Sequence, residues 1–192
     1  MIRAKKRQKI AAVFFNRPTL AVARDLLGKV LIRKIGKREI AVKITETEAY
    51  VGPRDRASHA SRGRTNRTEP MFGAPGTVYV YLIYGMYHCL NIVTEKEGFP
   101  AAVLIRAAVP LDGGGNEKEA GSPAGQADGP GKLCRLLQID KKFNKTSIFK
   151  NENIRLEDRG FKIPASRIGR GGRIGVEYAG IWAKKPWRFY LQ

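Results

Sequence analysis

Apolar positions along this chain recur with two periods, and the places where the period changes mark its elements. After Pro18-Thr19, the residues Leu20, Ala23, Leu26 and Leu27 fall on one side of a helix that ends at Gly28, where a left-handed cap belongs. Two strand-like runs follow, 29–35 and 39–50, separated by a turn at Gly36-Lys37-Arg38. Residues 77–84 and 87–93 read as a second hairpin turning near Gly85, and 101–109 as a further apolar strand. Leu133, Leu136 and Leu137 give 132–139 a helical stripe, and 187–191 closes the chain as a strand. Residues 51–75 have no period, and a loop of that length in a compact domain is usually functional. Residues 112–129 form a Gly-rich excursion expected to be mobile. Strands joined by hairpins rather than by crossover helices predict an α+β fold around a mainly antiparallel β-sheet. The basic opening residues suggest a division into an arm, 1–17, and a domain, 18–192.

Charge narrows the partners. Lys and Arg number 36 against 17 Asp and Glu, for a formal net charge of +19 over 192 residues. Such a field attracts polyanions, and phosphate neutralisation supplies most sequence-independent affinity for nucleic acid. An anionic membrane would answer the same charge, but no basic amphipathic helix with a wide apolar face is present, nor any run long enough to span a bilayer. The apolar run 10–15 is too short for a signal-peptide core. Two cysteines and two histidines without CxxC spacing argue against a structural zinc site, an iron–sulfur cluster or a disulfide framework. No metal and no cofactor are expected.

Several residues could carry chemistry. Strict alternation along 42–50 places Val42, Ile44, Glu46, Glu48 and Tyr50 on one face. Partly buried carboxylates must be paired, hydrogen-bonded or functional, and for Glu46 an arginine partner is the simpler reading. The hairpin tip Tyr84-Gly85-Met86 is hard to bury. An exposed aromatic beside a glycine turn on a basic protein suits a wedge between base pairs or a stacking surface. Tyr50 and Tyr81 could wall such a surface, whereas Tyr79 and Tyr87 read as core. Asn91 lies in an apolar strand, where a carboxamide needs partners or a task such as reading a base edge. Arg106 ends an apolar run and needs an anion, while His59 reads by default as a surface histidine. The Gly129-Pro-Gly-Lys132 segment lacks the spacing and hydroxyl of a phosphate loop, leaving at most a backbone contact to DNA phosphate. A single Arg170-Gly-Gly-Arg173 copy carries no argument for RNA binding.

Taken in order, Glu46-Thr-Glu-Ala-Tyr50, residues 75–87, Leu90-Asn-Ile92, Val103-Leu-Ile-Arg106, Gly131-Lys-Leu-Cys134, Gly175-Val176, Trp182-Ala183 and 186–190 resemble the alkyladenine (3-methyladenine) DNA glycosylase family. The resemblance covers residues 23 to 190. It implies a single mixed domain around a curved sheet with flanking helices and a protruding β-hairpin that enters the minor groove. It also implies roles: Glu48 as the general base that activates water, Tyr84 as the residue that intercalates where a nucleotide leaves the stack, and Tyr50, His59 and Tyr81 as the lining of the extruded base. Asn91 matches the amide at the pocket floor that tells adenine-type from guanine-type bases, and Ile174 a small aliphatic residue on the base pocket. Arg106, Lys132 and Met86 are candidate DNA contacts. Tyr178 stands where vertebrate members carry a histidine, and the loop after His59 is about one residue shorter, which bears on lesion range.

The implied activity is a monofunctional DNA glycosylase of base excision repair. It would flip a damaged purine out of duplex DNA and hydrolyse its N-glycosidic bond, leaving an abasic site. No lysine lies in the matched pocket motifs, so no Schiff base is expected. The expected partner is double-stranded DNA carrying damaged purines, bound by a monomer without a membrane, in the cytoplasm of a bacterium or the nucleus of a eukaryote. The alternative is a non-catalytic basic nucleic-acid-binding module.

Overall fold

Alternation of Val, Ile, Leu and Tyr with small or polar residues builds a continuous antiparallel sheet, seen in a computed structural model that describes residues 7–112, 115–117 and 127–192. Its strands are β1 (Gln8–Lys9), β2 (Val30–Ile35), β3 (Arg38–Val51), β4 (Val78–Ile83), β5 (Tyr87–Val93), β6 (Ala101–Pro110), β7 (Ile154–Asp158), β8 (Ile168–Gly171) and β9 (Arg188–Leu191). Among the described residues two short α-helices accompany them, α1 (Thr19–Asp25) and α2 (Pro130–Leu136). The spatial order is β1-β7-β2-β3-β6-β5-β4, with β9 pairing both β3 and β8. The long strand β3 is the axis: its first half pairs with β2, Glu46–Glu48 pair with β9, and β6 runs along Val42–Val51. The fold is α+β, as the pattern of hairpins predicts.

The two faces of the sheet are covered differently, and that difference makes room for a site. Val78, Val80, Leu90, Ile92, Val103 and Ile105 join Val22, Ala23 and Leu26 of the α1 segment and Leu133 and Cys134 of α2 in one buried cluster. Burial at about 25 cal/mol per Å² of apolar surface makes that cluster the main source of stability. The alternate positions on the same strands, Tyr79, Tyr81, Cys89 and Asn91, face a cavity. There the covering is the long loop 52–76, which folds back through short 3-10 turns at His59–Arg62 and Glu69–Phe72 and packs Ala60 and Met71 on Tyr79.

Strict alternation along 42–50 does not hold. Between Ile44 and Thr47 the pairing of β3 with β6 slips twice, leaving Thr45 extra on β3 and Arg106 extra on β6. A bulge reverses which face a side chain takes. Val42 and Ile44 therefore join the helix-covered core together with Ala49, while Glu48 and Tyr50 are left to the loop-covered face. The apolar start and acidic end of this strand do not share a face.

Three strands escape the sequence pattern: β1, β7 and β8. The segment 1–17, read as an arm, is part of the sheet from Gln8, which pairs with Asp158, and Phe15 is fully buried. Residues 1–6, and most of the 112–129 excursion, lie outside the described residues.

Candidate active site

The phase change on β3 brings one carboxylate under the cavity floor. Glu48 is fully buried, and both its oxygens are engaged. Oε2 accepts from the Tyr50 hydroxyl at 2.8 Å, and Oε1 accepts from the backbone N–H of Ile174 at 2.9 Å. Arg106 approaches Oε1 at 3.6 Å. Burial pushes the Glu48 pKa up, opposed in turn by the Ile174 N–H, by Arg106 and by Tyr50. Burial holds the Tyr50 hydroxyl well above its ordinary value, so it remains a donor to the carboxylate. Glu46 is a different kind of acid. It pairs with Arg106 at 3.1 Å and Arg188 at 2.8 Å, the arginine partnership expected of it.

Above Glu48 lies a cavity of about 370 Å³, within the size range of small-ligand sites. Tyr50, Arg106 and Ile174, all contacting Glu48, also line it; Glu48 itself lies behind them. The walls are aromatic. Tyr81 packs edge-on to the His59 ring at 4.6 Å, and His59 Nδ1 hydrogen-bonds the Tyr79 hydroxyl at 3.0 Å. His59 is therefore no surface histidine: the 3-10 turn carries it into the wall. Burial, helped by the charges of Arg67 and Arg62, holds its pKa down to about 4, so the ring is neutral near pH 7. Asn91 is buried at the cavity edge, with Nδ2 donating to the carbonyls of Tyr79 (3.2 Å) and Cys89 (3.3 Å).

The hairpin of β4 and β5 runs beyond its neighbour: only Asn91–Val93 of β5 pair with β6, so the outer half protrudes. Its tip reverses through Tyr84 (φ +53°) and Gly85 (φ +71°), closed by the Met86 N–H on Ile83 O at 3.2 Å. Two successive positive φ values are the mark of a type I′ turn, whose first position favours Asn, Asp or Gly. A bulky residue in that conformation is strained by about 1–2 kcal/mol. Tyr84 is nevertheless there, 77% exposed and lining the mouth of the cavity, with Met86 66% exposed beside it.

The predicted residues thus converge unevenly. Tyr50, His59, Tyr81, Tyr84, Asn91, Arg106 and Ile174 line a common cavity with Glu48 beneath them. Lys132 does not line it; in the first turn of α2 it pairs with exposed Asp128 at 2.8 Å. Arg106 faces inward to two carboxylates. Sequence reasoning missed Arg67, whose guanidinium lies 5.3 Å from the centre of the Tyr81 ring, and the Asp55–Arg173 pair. That pair is fully buried and bidentate, at 2.5 and 2.8 Å. Breaking such a pair from one side costs about 3–5 kcal/mol. No group of His, Cys, Asp and Glu able to hold a metal ion occurs among the described residues, and no helix among them is long and apolar enough to cross a membrane.

Comparison with known proteins places the chain. Residues 13–192 match the family model described as methylpurine-DNA glycosylase. A relative from Methanocella arvoryzae is 50% identical over 182 residues, covering 92% of this chain and 89% of its own. One from Anaeromyxobacter dehalogenans is 47% identical, covering 96% and 82%, and one from Clostridium perfringens 45%, covering 93% of each. All three are named as candidate 3-methyladenine DNA glycosylases. With its aromatic cavity and basic surface accounted for by that assignment rather than by a non-catalytic binding module, the chain belongs to the methylpurine-DNA glycosylase family of DNA-repair enzymes, hydrolases of N-glycosyl bonds.

Proposed function

We propose that this glycosylase swings a damaged purine out of duplex DNA into the cavity between Tyr50, Tyr81 and His59, and hydrolyses its N-glycosidic bond with a water activated by Glu48. The observation that carries the reading is the place of Glu48: a buried carboxylate, held by two donors, directly behind the three residues that floor an aromatic cavity. A base inside a duplex cannot be reached at its sugar, so extrusion precedes chemistry and costs a few kcal/mol. Tyr84, exposed at the mouth, is placed to fill the vacated stack, and Met86 to touch the groove beside it. Damaged bases pair badly, which lowers the extrusion cost and favours them.

Cleavage passes through an oxocarbenium-like state on the sugar, which a nearby carboxylate stabilises. Arg106 lies 3.6 Å from Glu48, beyond direct hydrogen-bond distance, and a water on the cavity side, beside that contact rather than between its atoms, can hydrogen-bond to both. Water held there attacks the anomeric carbon and gives its proton to Glu48. The electron pair of the broken bond leaves with the purine, and an abasic site remains. A cationic 3- or 7-methylated purine departs readily. A neutral lesion needs a hydrogen bond on the leaving base, which His59, neutral near pH 7, supplies in place of a proton. Asn91 at the cavity edge tells adenine-type from guanine-type bases. Among the described residues, those lining the cavity include Arg67 and Arg106 but no lysine, which favours direct hydrolysis over a Schiff base.

The test is incubation with duplexes carrying hypoxanthine, ethenoadenine or 3-methyladenine, scored for alkali-labile sites. Abasic product without strand cleavage, and no adduct after borohydride, is the expected result. Binding without product on every lesion would remove the reading.

A further inference from the structure

We infer that the buried Asp55–Arg173 pair is a positioning device for the catalytic centre, holding the backbone at Ile174 so that its N–H lands on Glu48 and fixing the Tyr50 ring beside it. The inference rests on Glu48 being the acting carboxylate. Neither Asp55 nor Arg173 lines the cavity, so neither touches substrate; what they touch is the frame around Glu48. Arg173 donates to the carbonyl of Ala49, the residue between Glu48 and Tyr50, at 2.8 Å, and to the carbonyl of Trp182 at 2.9 Å. Its guanidinium also lies 4.8 Å from the centre of the Tyr50 ring and 5.0 Å from that of Trp187. Asp55 in turn accepts the N–H groups of Val51 and Ala57, each at 3.1 Å. One ion pair therefore ties the end of β3, the start of the long loop and the 172–182 segment together.

The next residue after Arg173 is Ile174, whose N–H reaches Glu48 Oε1 at 2.9 Å. A buried pair is weak evidence for stability in itself, because desolvation offsets much of its attraction. Its value here is geometric. A carboxylate that must accept a proton from water needs its lone pairs aimed, and small displacements of a reacting group cost large factors in rate. The other groups facing Glu48 are Tyr50 and Tyr81 from their strands, Cys89 on β5, Glu46 on β3 and Arg106 on β6, with Arg188 held by Glu46. None of these orients the Ile174 peptide.

The experiment uses the full chain with Asp55→Asn, Arg173→Lys and Ile174→Pro, the last removing the N–H directly. Single-turnover excision from a hypoxanthine duplex is followed against pH, and affinity is read on a duplex carrying a tetrahydrofuran abasic analogue. Asp55→Asn should slow excision roughly tenfold, the loss expected when a charged group loses an aimed donor. Affinity should stay within about threefold, since phosphate contacts dominate it. The acid limb of the profile should move to higher pH as Glu48 loses its N–H donor. Arg173→Lys, which keeps the charge but not the bidentate contact, should also slow excision, by less than Asp55→Asn. Asp55→Asn combined with Ile174→Pro should be no slower than the slower single variant, because both act through one contact.

Unchanged rate and acid limb in folded Asp55→Asn and Arg173→Lys would overturn the inference, as would equal losses of rate and affinity. Failure of both to fold would assign the pair to stability and overturn it too. Glu48→Gln run alongside separates the two readings: excision by that variant removes the catalytic role of Glu48, whereas its inactivity beside normal Asp55→Asn removes only the positioning role.

Discussion

Arg106 stands 3.1 Å from Glu46 through Nε and 3.6 Å from Glu48 through one terminal nitrogen, so a single guanidinium is shared unequally by two acids of β3. Glu46 has a second cation in Arg188 at 2.8 Å; Glu48 has only neutral donors at hydrogen-bond distance. Like acids in one strand thus take different parts, one as a counter-ion and one, in the proposed mechanism, as the base. Glu46→Gln removes a negative neighbour that makes Glu48 harder to ionise, and it releases Arg106 toward Glu48. Both changes favour the ionised form. The acid limb of the single-turnover rate profile should therefore move to lower pH; a move to higher pH would show that Glu46 acts chiefly by holding Arg106 in place.

The strained tip makes an opposed prediction for stability and activity. Tyr84→Asn places at φ +53° a residue that tolerates the left-handed region. Unfolding free energy should rise by about 1 kcal/mol, read as a melting temperature roughly 2–4 °C higher. Excision of a stably paired lesion should fall roughly tenfold or more, because the stacking that fills the gap is worth about 1–3 kcal/mol. A variant with wild-type single-turnover rates would leave Tyr84 merely exposed.

His59 ties stability to pH. In the unfolded chain its imidazole titrates near the ordinary value of about 6.5; in the fold it stays neutral down to about 4. As pH falls through that window the unfolded chain takes up a proton that the folded protein does not, so stability declines on acidification. His59→Gln should flatten the slope of unfolding free energy between pH 6.5 and 4 relative to wild type. Arg67→Gln should raise the His59 pKa, measured by NMR titration, because Arg67 is one of the two charges that depress it.

How much of this was legible in the chain follows from the range of the contacts involved. The hairpin tip was readable because Tyr84-Gly85-Met86 is local; Gly28 does take a positive φ, but in the turn Leu26–Lys29 after the helix has ended at Asp25, with its N–H on Ile44 O rather than on a helix carbonyl. Glu48 could be singled out, but the alternation used to group it with Val42 and Ile44 fails at the Thr45 bulge, which only pairing with β6 reveals. His59 looked like a surface residue because its burial comes from Tyr79 and Tyr81 on β4, beyond the reach of any local pattern. Arg173 sits in a Gly-Arg run that resembles low complexity, and its partner Asp55 lies 118 residues away. Strand β8 in the same run has no apolar alternation to announce it and is held by pairing with β9.

In the proposed function Asn91 bears on which bases enter. Its amide is fixed by two carbonyls of its own hairpin, so its orientation is set before any base arrives. Asn91→Ser keeps a polar group but shortens it and opens space at the cavity edge. The ratio of guanine-type to adenine-type excision should increase in that variant, measured by competition between two lesion duplexes; an unaltered ratio would place discrimination elsewhere, with Tyr178 at the mouth the next residue to test.

The most direct measurement concerns Glu48 itself. Glu48→Gln keeps the size of the side chain, and its one carbonyl oxygen can still accept from the Ile174 N–H while its amide donates to the Tyr50 oxygen, but it cannot take a proton from water. Single-turnover excision from a hypoxanthine duplex, paired with affinity for the same duplex, should show a rate lower by at least about a hundredfold, as expected for loss of a general base, while affinity stays within a few fold. A variant that excises the base at close to the wild-type rate would contradict the account.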